Sequence, residues 1–188
     1  MVYDNATPAF RLLRLGDHRV TTLLIAEKGA ARGIGLGNVY AMVADPDGRH
    51  LYFTQPDAQA LRRLDVDSGL CETLFEKDAR VPNPAALCLY KGKLCVADRN
   101  LPTLYQVEPH ATATGAMPSV VGAELTQVAQ GDHMVAIAES DGVLYAFQAA
   151  DTPWVRLTSS NKHGFGFKIQ NLLNPLPIIP TFGSQPTR

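Results

Sequence analysis

The sequence predicts an all-β chain built from four-stranded blades, a β-propeller whose ring is incomplete at about three to four blades. Three observations predict it. The first is a loose internal repeat. Leu51-Tyr52-Phe53-Thr54-Gln55 runs on to Leu61-Arg62-Arg63-Leu64-Asp65, and Leu94-Cys95-Val96-Ala97-Asp98 runs on to Leu104-Tyr105-Gln106-Val107-Glu108 with the same internal spacing. A period of about forty residues made of short strand-like runs marks sheets stacked around a ring. The second is that the apolar runs are short and rich in Val, Leu, Tyr and Phe, with no long amphipathic helical stretch to compete. The third is turn chemistry: Asp45-Pro46-Asp47-Gly48, Asp67-Ser68-Gly69, Lys91-Gly92 and Asp141-Gly142 sit between alternating runs. Glycine supplies the positive φ of hairpin turns, while Asp and Ser bond nearby backbone.

Taken in order, Val2-Tyr3 and Phe10 to Leu15 read as the same strand pair with a shortened link, and Val20 to Leu24 parallels Cys71 to Phe75. Val39 to Ala44 opens the next unit. Downstream, Val135 to Glu139 matches Leu94 to Asp98, Val143 to Phe147 matches the strand after it, and Trp154 to Thr158 takes the outer-strand place. Residues 1–158 are thus expected to form the propeller part. Residues 159–188 are expected to form a Pro-rich, irregular or poorly ordered tail, since Pro175, Pro177 and Pro180 would remove ladder donors from a central strand. A PPII-like tail docked on a partner or on the propeller is the other reading of that segment. Phe165, Phe167, Leu172, Leu173, Ile178 and Ile179 make it apolar for a free tail.

The runs Leu51-Tyr52-Phe53 to Leu61-Arg62-Arg63-Leu64-Asp65-Val66-Asp67-Ser68-Gly69, and Leu94-Cys95-Val96-Ala97-Asp98-Arg99-Asn100, resemble the NHL repeat of β-propellers, with Val2 to Leu15 a weaker copy. The resemblance covers roughly residues 1 to 158 and implies a protein-interaction or ligand-binding scaffold. The pattern is shared with gluconolactonase-type blades. Their likeness implies instead a metal-dependent enzyme, in which inner-strand Glu, Asp and Asn residues hold a divalent cation.

Propellers close with about four to eight blades, and the 188 residues hold about three full blades plus a partial one. An open arc has raw sheet edges, which proteins normally pair or cover. A fragment of a longer product, closure by a second copy, and a truncation all remain open, and the raw edges leave self-association through them as an option.

Composition excludes a disordered or collagen-like chain, and the net charge is −1. The charge is uneven: residues 152–188 carry Arg156, Lys162, Lys168 and Arg188 with no acid. No apolar run reaches the roughly eighteen residues of a membrane span, so no membrane partner is expected. The N-terminus lacks the layout of a signal peptide. Nothing marks a compartment, and cytoplasm is the default expectation. Cys88 and Cys95 flank the Lys91-Gly92 turn, which pairs them across a hairpin as small buried apolar residues.

Motifs for chemistry mostly fail. In Gly33-Ile34-Gly35-Leu36-Gly37 the third glycine of a dinucleotide loop would be Asn38, and a strand follows instead of a helix. Asp65, Asp67 and Glu76 fit positions one, three and twelve of a calcium loop, yet Leu70 stands where the sharp turn needs Gly. The five histidines form no metal-ligand pair, and no nucleophile elbow is present. No cofactor is expected.

The candidate site comes from topology. Loops between the second and third strands, and between successive blades, gather on one face around the channel, where binding usually sits. They carry Asp57, Asp98, Arg99, Asn100 and Glu139. Asp98 and Glu139 are read at equivalent blade positions, with carboxylates converging near the channel mouth. As an interaction surface these residues would present a ligand-binding face; as an enzyme site Asp98, Asn100 and Glu139 would supply oxygen ligands to Ca²⁺ or Mg²⁺. Nucleic acid is not favoured. Lys28, Arg32, Lys77, Arg80 and Arg99 are offset by Glu27, Asp57, Glu76, Asp78, Asp98 and Glu139, with no basic excess.

Overall fold

The computed structural model describes residues 2–4, 9–25, 36–111, 121–130, 134–140, 143–148, 154–161 and 164–171. The described residues form an all-β structure, whose strands follow one another as antiparallel meanders in four separate sheets. The first sheet is three-stranded: β1 (Val2–Asp4), β2 (Ala9–Leu13) and β3 (Val20–Ile25). The second holds β4 (Met42–Ala44), β5 (His50–Gln55), β6 (Ala60–Asp65) and β7 (Cys71–Glu76). The third holds β8 (Pro84–Tyr90), β9 (Lys93–Asp98), β10 (Thr103–Pro109) and β11 (Ala123–Gln130). The fourth holds β12 (Met134–Ser140), β13 (Val143–Gln148), β14 (Trp154–Asn161) and β15 (Gly164–Asn171). This is an open arc of β-propeller blades.

Local chemistry sets the strands. Lys91 and Gly92 both take positive φ, 50° and 74°, the turn whose twist matches the flanking strands of a two-residue hairpin. That turn pairs Tyr90 with Lys93 and Cys88 with Cys95. Both cysteines are buried and free. The neighbouring Cys95 thiol and burial, with Glu139 nearby, push the Cys88 thiol far above its ordinary range. Asp65 closes the β6–β7 turn: its Oδ1 accepts from the Asp67 amide at 3.1 Å, the Ser68 amide at 2.8 Å and the Ser68 hydroxyl at 2.9 Å. The putting-together of Asp65, Asp67 and Glu76 as a calcium loop is not seen, because 71–76 is strand.

The repeat is also visible in the backbone. The ladder shifts by a bulge between Phe10 and Arg11, between Leu61 and Arg62, and between Leu104 and Tyr105, the same place in three sheets. Strand alternation then gives each sheet two apolar faces. Leu51, Phe53, Leu64 and Cys71 pack back toward the first sheet with Phe10 and Leu36. Tyr52, Leu61 and Leu74 pack forward onto Leu94, Val96 and Tyr105 of the third sheet. Cys88, Tyr90 and Cys95 pack forward in turn onto Ile137, Leu144 and Ala146 of the fourth. Tilted ring contacts run through the first junction, with centroids 4.8 Å apart for Tyr3–Phe10 and 4.7 Å for Phe10–Phe53.

Two expectations are corrected in the last sheet. Val135 to Glu139 lies in β12, the first strand of its sheet and the counterpart of β8, while β13 is the counterpart of β9. The reading from pattern is therefore slipped by one strand. Short alternating runs of similar length are interchangeable by composition, and 123–130 completes the third sheet from the far side of a long link. The pairs Tyr90–Lys93 and Ser140–Val143 close the same first-to-second-strand hairpin in the two sheets. Gly164–Asn171 is also a strand, paired with β14, where an irregular segment is expected from residue 159. Its Phe-Gly-Phe-Lys-Ile alternation lies ahead of the prolines that motivated that expectation. The prolines themselves lie outside the described residues.

The second sheet also buries charge. Arg63 donates to Glu72 Oε2 from Nε at 2.8 Å and from Nη2 at 2.6 Å, with both side chains nearly inaccessible. Removing one member of such a pair leaves the other's buried charge uncompensated. Glu72→Ala is therefore expected to lower stability by about 3–5 kcal/mol, and Arg63→Met with Glu72→Leu to recover most of that loss. Urea denaturation of the three proteins checks it.

Asp65 gives a pH test. Burial by itself would raise its carboxyl, but the Ser68 amide and hydroxyl and Arg49 more than reverse this and hold it at about 2. A depressed carboxyl stabilises the fold above its unfolded value of about 3.9, and that contribution disappears as pH falls through the folded value. Wild type should exceed Asp65→Asn by about 1–2 kcal/mol at neutral pH, with the gap closing between about pH 4 and pH 2 in thermal unfolding.

Candidate functional site

The links between second and third strands, and between one sheet and the next, lie at one end of the strands. Asp57 sits there in the turn Pro56–Ala58, and Asp98, Arg99 and Asn100 follow β9. The register fixes this end, since Gln55 pairs with Ala60 and Pro84 with Asp98.

Asp98 is fully buried and serves the backbone. Its Oδ1 accepts from the amides of Asn100 at 2.7 Å and Leu101 at 2.8 Å, and its Oδ2 from the amide of Asn83 at 2.5 Å. The Arg99 amide answers by donating to the Asn83 carbonyl at 2.9 Å. An Asp side chain bonding the backbone two and three residues on is an Asx-type turn. Here it also ties the segment entering β8 to the link leaving β9.

Around this clamp the exposed groups come together through residues 38–40. Asn38 Nδ2 donates to Asp57 Oδ2 at 2.9 Å. Two residues on, the exposed Tyr40 ring lies under the Arg99 guanidinium, 5.9 Å from its centroid, and Arg99 Nη1 reaches the Tyr40 hydroxyl at 3.5 Å. Tyr40 is held by the second sheet, its amide donating to the Thr54 carbonyl at 3.1 Å, so the pair bridges two sheets. Beside it a hollow of about 340 Å³ is lined by Leu36, Gly37, Gln55, Asp57 and Ala58. Arg80, on the same face, is neutralised by Asp78 at 2.7 Å, and that hydrogen bond holds the Asp78 carboxyl below its ordinary range.

Asp57, Arg99 and Asn100 are thus on one face, with Asn38 and Tyr40 joining them. Glu139 is not. It is exposed next to the end of β12 that leads into β13, with Ser140 paired to Val143, so it corresponds to Leu89 and lies at the opposite end of the strands from Asp98. The expected convergence of Asp98 and Glu139 is corrected by the same one-strand slip. That opposite end also has a cleft of about 360 Å³, between Asp45, Tyr52, Lys93, Gln106 and Glu108.

Sequence reasoning missed a buried polar group beneath the loop face. Arg62 donates from Nε to Gln55 Oε1 at 2.6 Å, from Nη1 to Thr73 Oγ1, and from Nη2 to Glu76 Oε2 at 3.4 Å. The first sheet repeats it one blade earlier: Arg11 reaches Asp4 Oδ2 at 3.1 Å and Thr22 Oγ1 at 2.9 Å. Asp4, Gln55 and Asp98 end equivalent strands, and Arg11, Arg62 and Tyr105 stand seven residues after each. That constant spacing was the available signal.

No family model and no curated protein matches the chain. Solved structures do match in shape. The extracellular domain of a one-component system protein from Bacteroides thetaiotaomicron shares 15% identity at a TM-score of 0.53, over 86% of this chain and 19% of that one. A luciferin-regenerating enzyme shares 15% at 0.54, over 87% and 50%. A quinoprotein alcohol dehydrogenase-like protein from the same Bacteroides shares 12% at 0.52, over 90% and 42%. The chain spans half or less of each of these proteins. At these identities the likeness is one of fold, and the fold is that of a β-propeller.

Proposed function

We propose that the chain is an NHL-like propeller scaffold that holds a protein partner on its loop face, anchored by Tyr40 and Arg99. The observation behind this reading is the Arg99 guanidinium stacked over an exposed tyrosine that a neighbouring sheet holds in place. Tyr and Arg are enriched among the residues that carry the energetics of protein interfaces, and here they sit in links tied to the ends of β5 and β9, next to a polar rim of Asn38, Asp57 and Asn100. Nucleic acid is a poorer fit, because Arg80 is already paired with Asp78.

Quantitative affinity capture tests the reading. Tyr40→Ala with Arg99→Ala should reduce bound partner by at least about tenfold, while Lys91→Ala, in the turn at the other end of the strands, leaves it unchanged. Retention by the double variant, or equal loss with Lys91→Ala, would contradict it.

The second reading is a metal-dependent propeller enzyme using Asp98, Asn100 and Glu139. Asp98 is fully buried with three backbone donors already on its carboxylate, which leaves little of it for a cation, and Glu139 is at the far end of the strands. Titration calorimetry with Ca²⁺ and Mg²⁺ should therefore give no heat beyond dilution. A saturable heat lost in Asp98→Asn would favour the enzyme. Asp98→Ala is expected instead to lower stability by about 3 kcal/mol, the cost of leaving buried amides unpaired.

A further inference from the structure

The two ends of the arc present faces that the interior sheets bury. In the second sheet the backward face is sealed by the first: Leu64 and Cys71 are both 0% exposed. Their register counterparts in the first sheet are Leu13 and Val20, paired across β2 and β3 as Leu64 and Cys71 are across β6 and β7. These are 39% and 56% exposed. The polar group follows the same rule, the Arg62 side chain being 5% exposed and that of Arg11 34%. At the other end, Ala136, Ala138 and Ser140 of β12 are exposed, whereas their counterparts Ala86, Cys88 and Tyr90 of β8 are buried against the fourth sheet.

We propose that a second copy of this chain closes the ring, its fourth sheet packing forward onto the first sheet of its partner, and the reverse at the other junction. The complement of a backward face throughout the structure is the forward face of a preceding sheet, as Phe10 shows against Phe53 and Leu64. Among the described residues, the uncovered forward positions of an end sheet are Ala136, Ala138 and Ser140 of the fourth. Such a contact is head-to-tail, and it ends in a closed assembly when the rotation brings both junctions together. Two copies of the four described sheets make eight, within the known range of about four to eight blades. Burying Leu13 and Val20 removes apolar surface from water, and the Arg11–Asp4–Thr22 group enters the contact with its hydrogen bonds already made. This contact uses sheet faces, not the loop face, so its outcome is independent of the partner reading above.

Light scattering coupled to size exclusion tests it on wild type, Val20→Asp and Ala138→Arg. Both substitutions are at exposed positions, and circular dichroism should show unchanged folding. Wild type should have twice the chain mass. Each variant alone should associate about a hundredfold more weakly, because it buries an unpaired charge. Mixed, the two variants should form a one-to-one pair through the single junction each leaves intact. A monomeric wild type, open-ended polymers, or variants that associate as the wild type does would overturn the proposal.

Discussion

The packing of one sheet's forward face against the next sheet's backward face is the constraint on which the rest depends. The interior sheets carry apolar residues on both faces, so a lone sheet would leave at least one apolar face in water. Burial of both faces is what makes each interior sheet stable. Leu61 and Leu74 look forward while Phe53 and Leu64 look back, and all four are essentially inaccessible. The sheets whose one face is open are also those in which equivalent positions become exposed.

The polar group under the loop face shows how one repeat position adapts to its surroundings. A buried guanidinium needs every donor matched. The half-exposed first sheet uses Asp4 and Thr22, while the sealed second sheet uses the neutral Gln55, Thr73 and a carboxylate at the rim. In the third sheet Tyr105 replaces the arginine, and Asp98, freed from that role, turns to the backbone amides of two links. The loop face is thereby built on fixed strand ends. Arg99 and Asn100 stand where they do because the carboxylate before them holds their amides.

Period and turns were legible: the repeat through Leu51 and Leu94 located the middle sheets, and Lys91-Gly92 set the Cys88–Cys95 pairing. The phase of the last sheet was not, since runs such as Val135 to Glu139 and Val143 to Phe147 alternate alike and only their connecting turns tell first strand from second. Of the site, Asp57, Arg99 and Asn100 were legible as loop residues of one face. Asp98 was legible as to place but not role, because a carboxylate in a polar loop reads as solvated until the register brings Asn83 beside it. Tyr40 was hidden by reading 39–44 as uniform strand; its partner Arg99 is distant in sequence.

Hydrogen exchange followed by mass spectrometry at several protein concentrations tests the central claim most directly. Amides of β5 to β10, in sheets covered on both faces, should exchange slowest and independently of concentration. Those of β2, β3 and β12 should exchange faster when dilute and become protected as concentration rises. Terminal sheets protected equally at every concentration, or middle sheets opening first, would contradict the account.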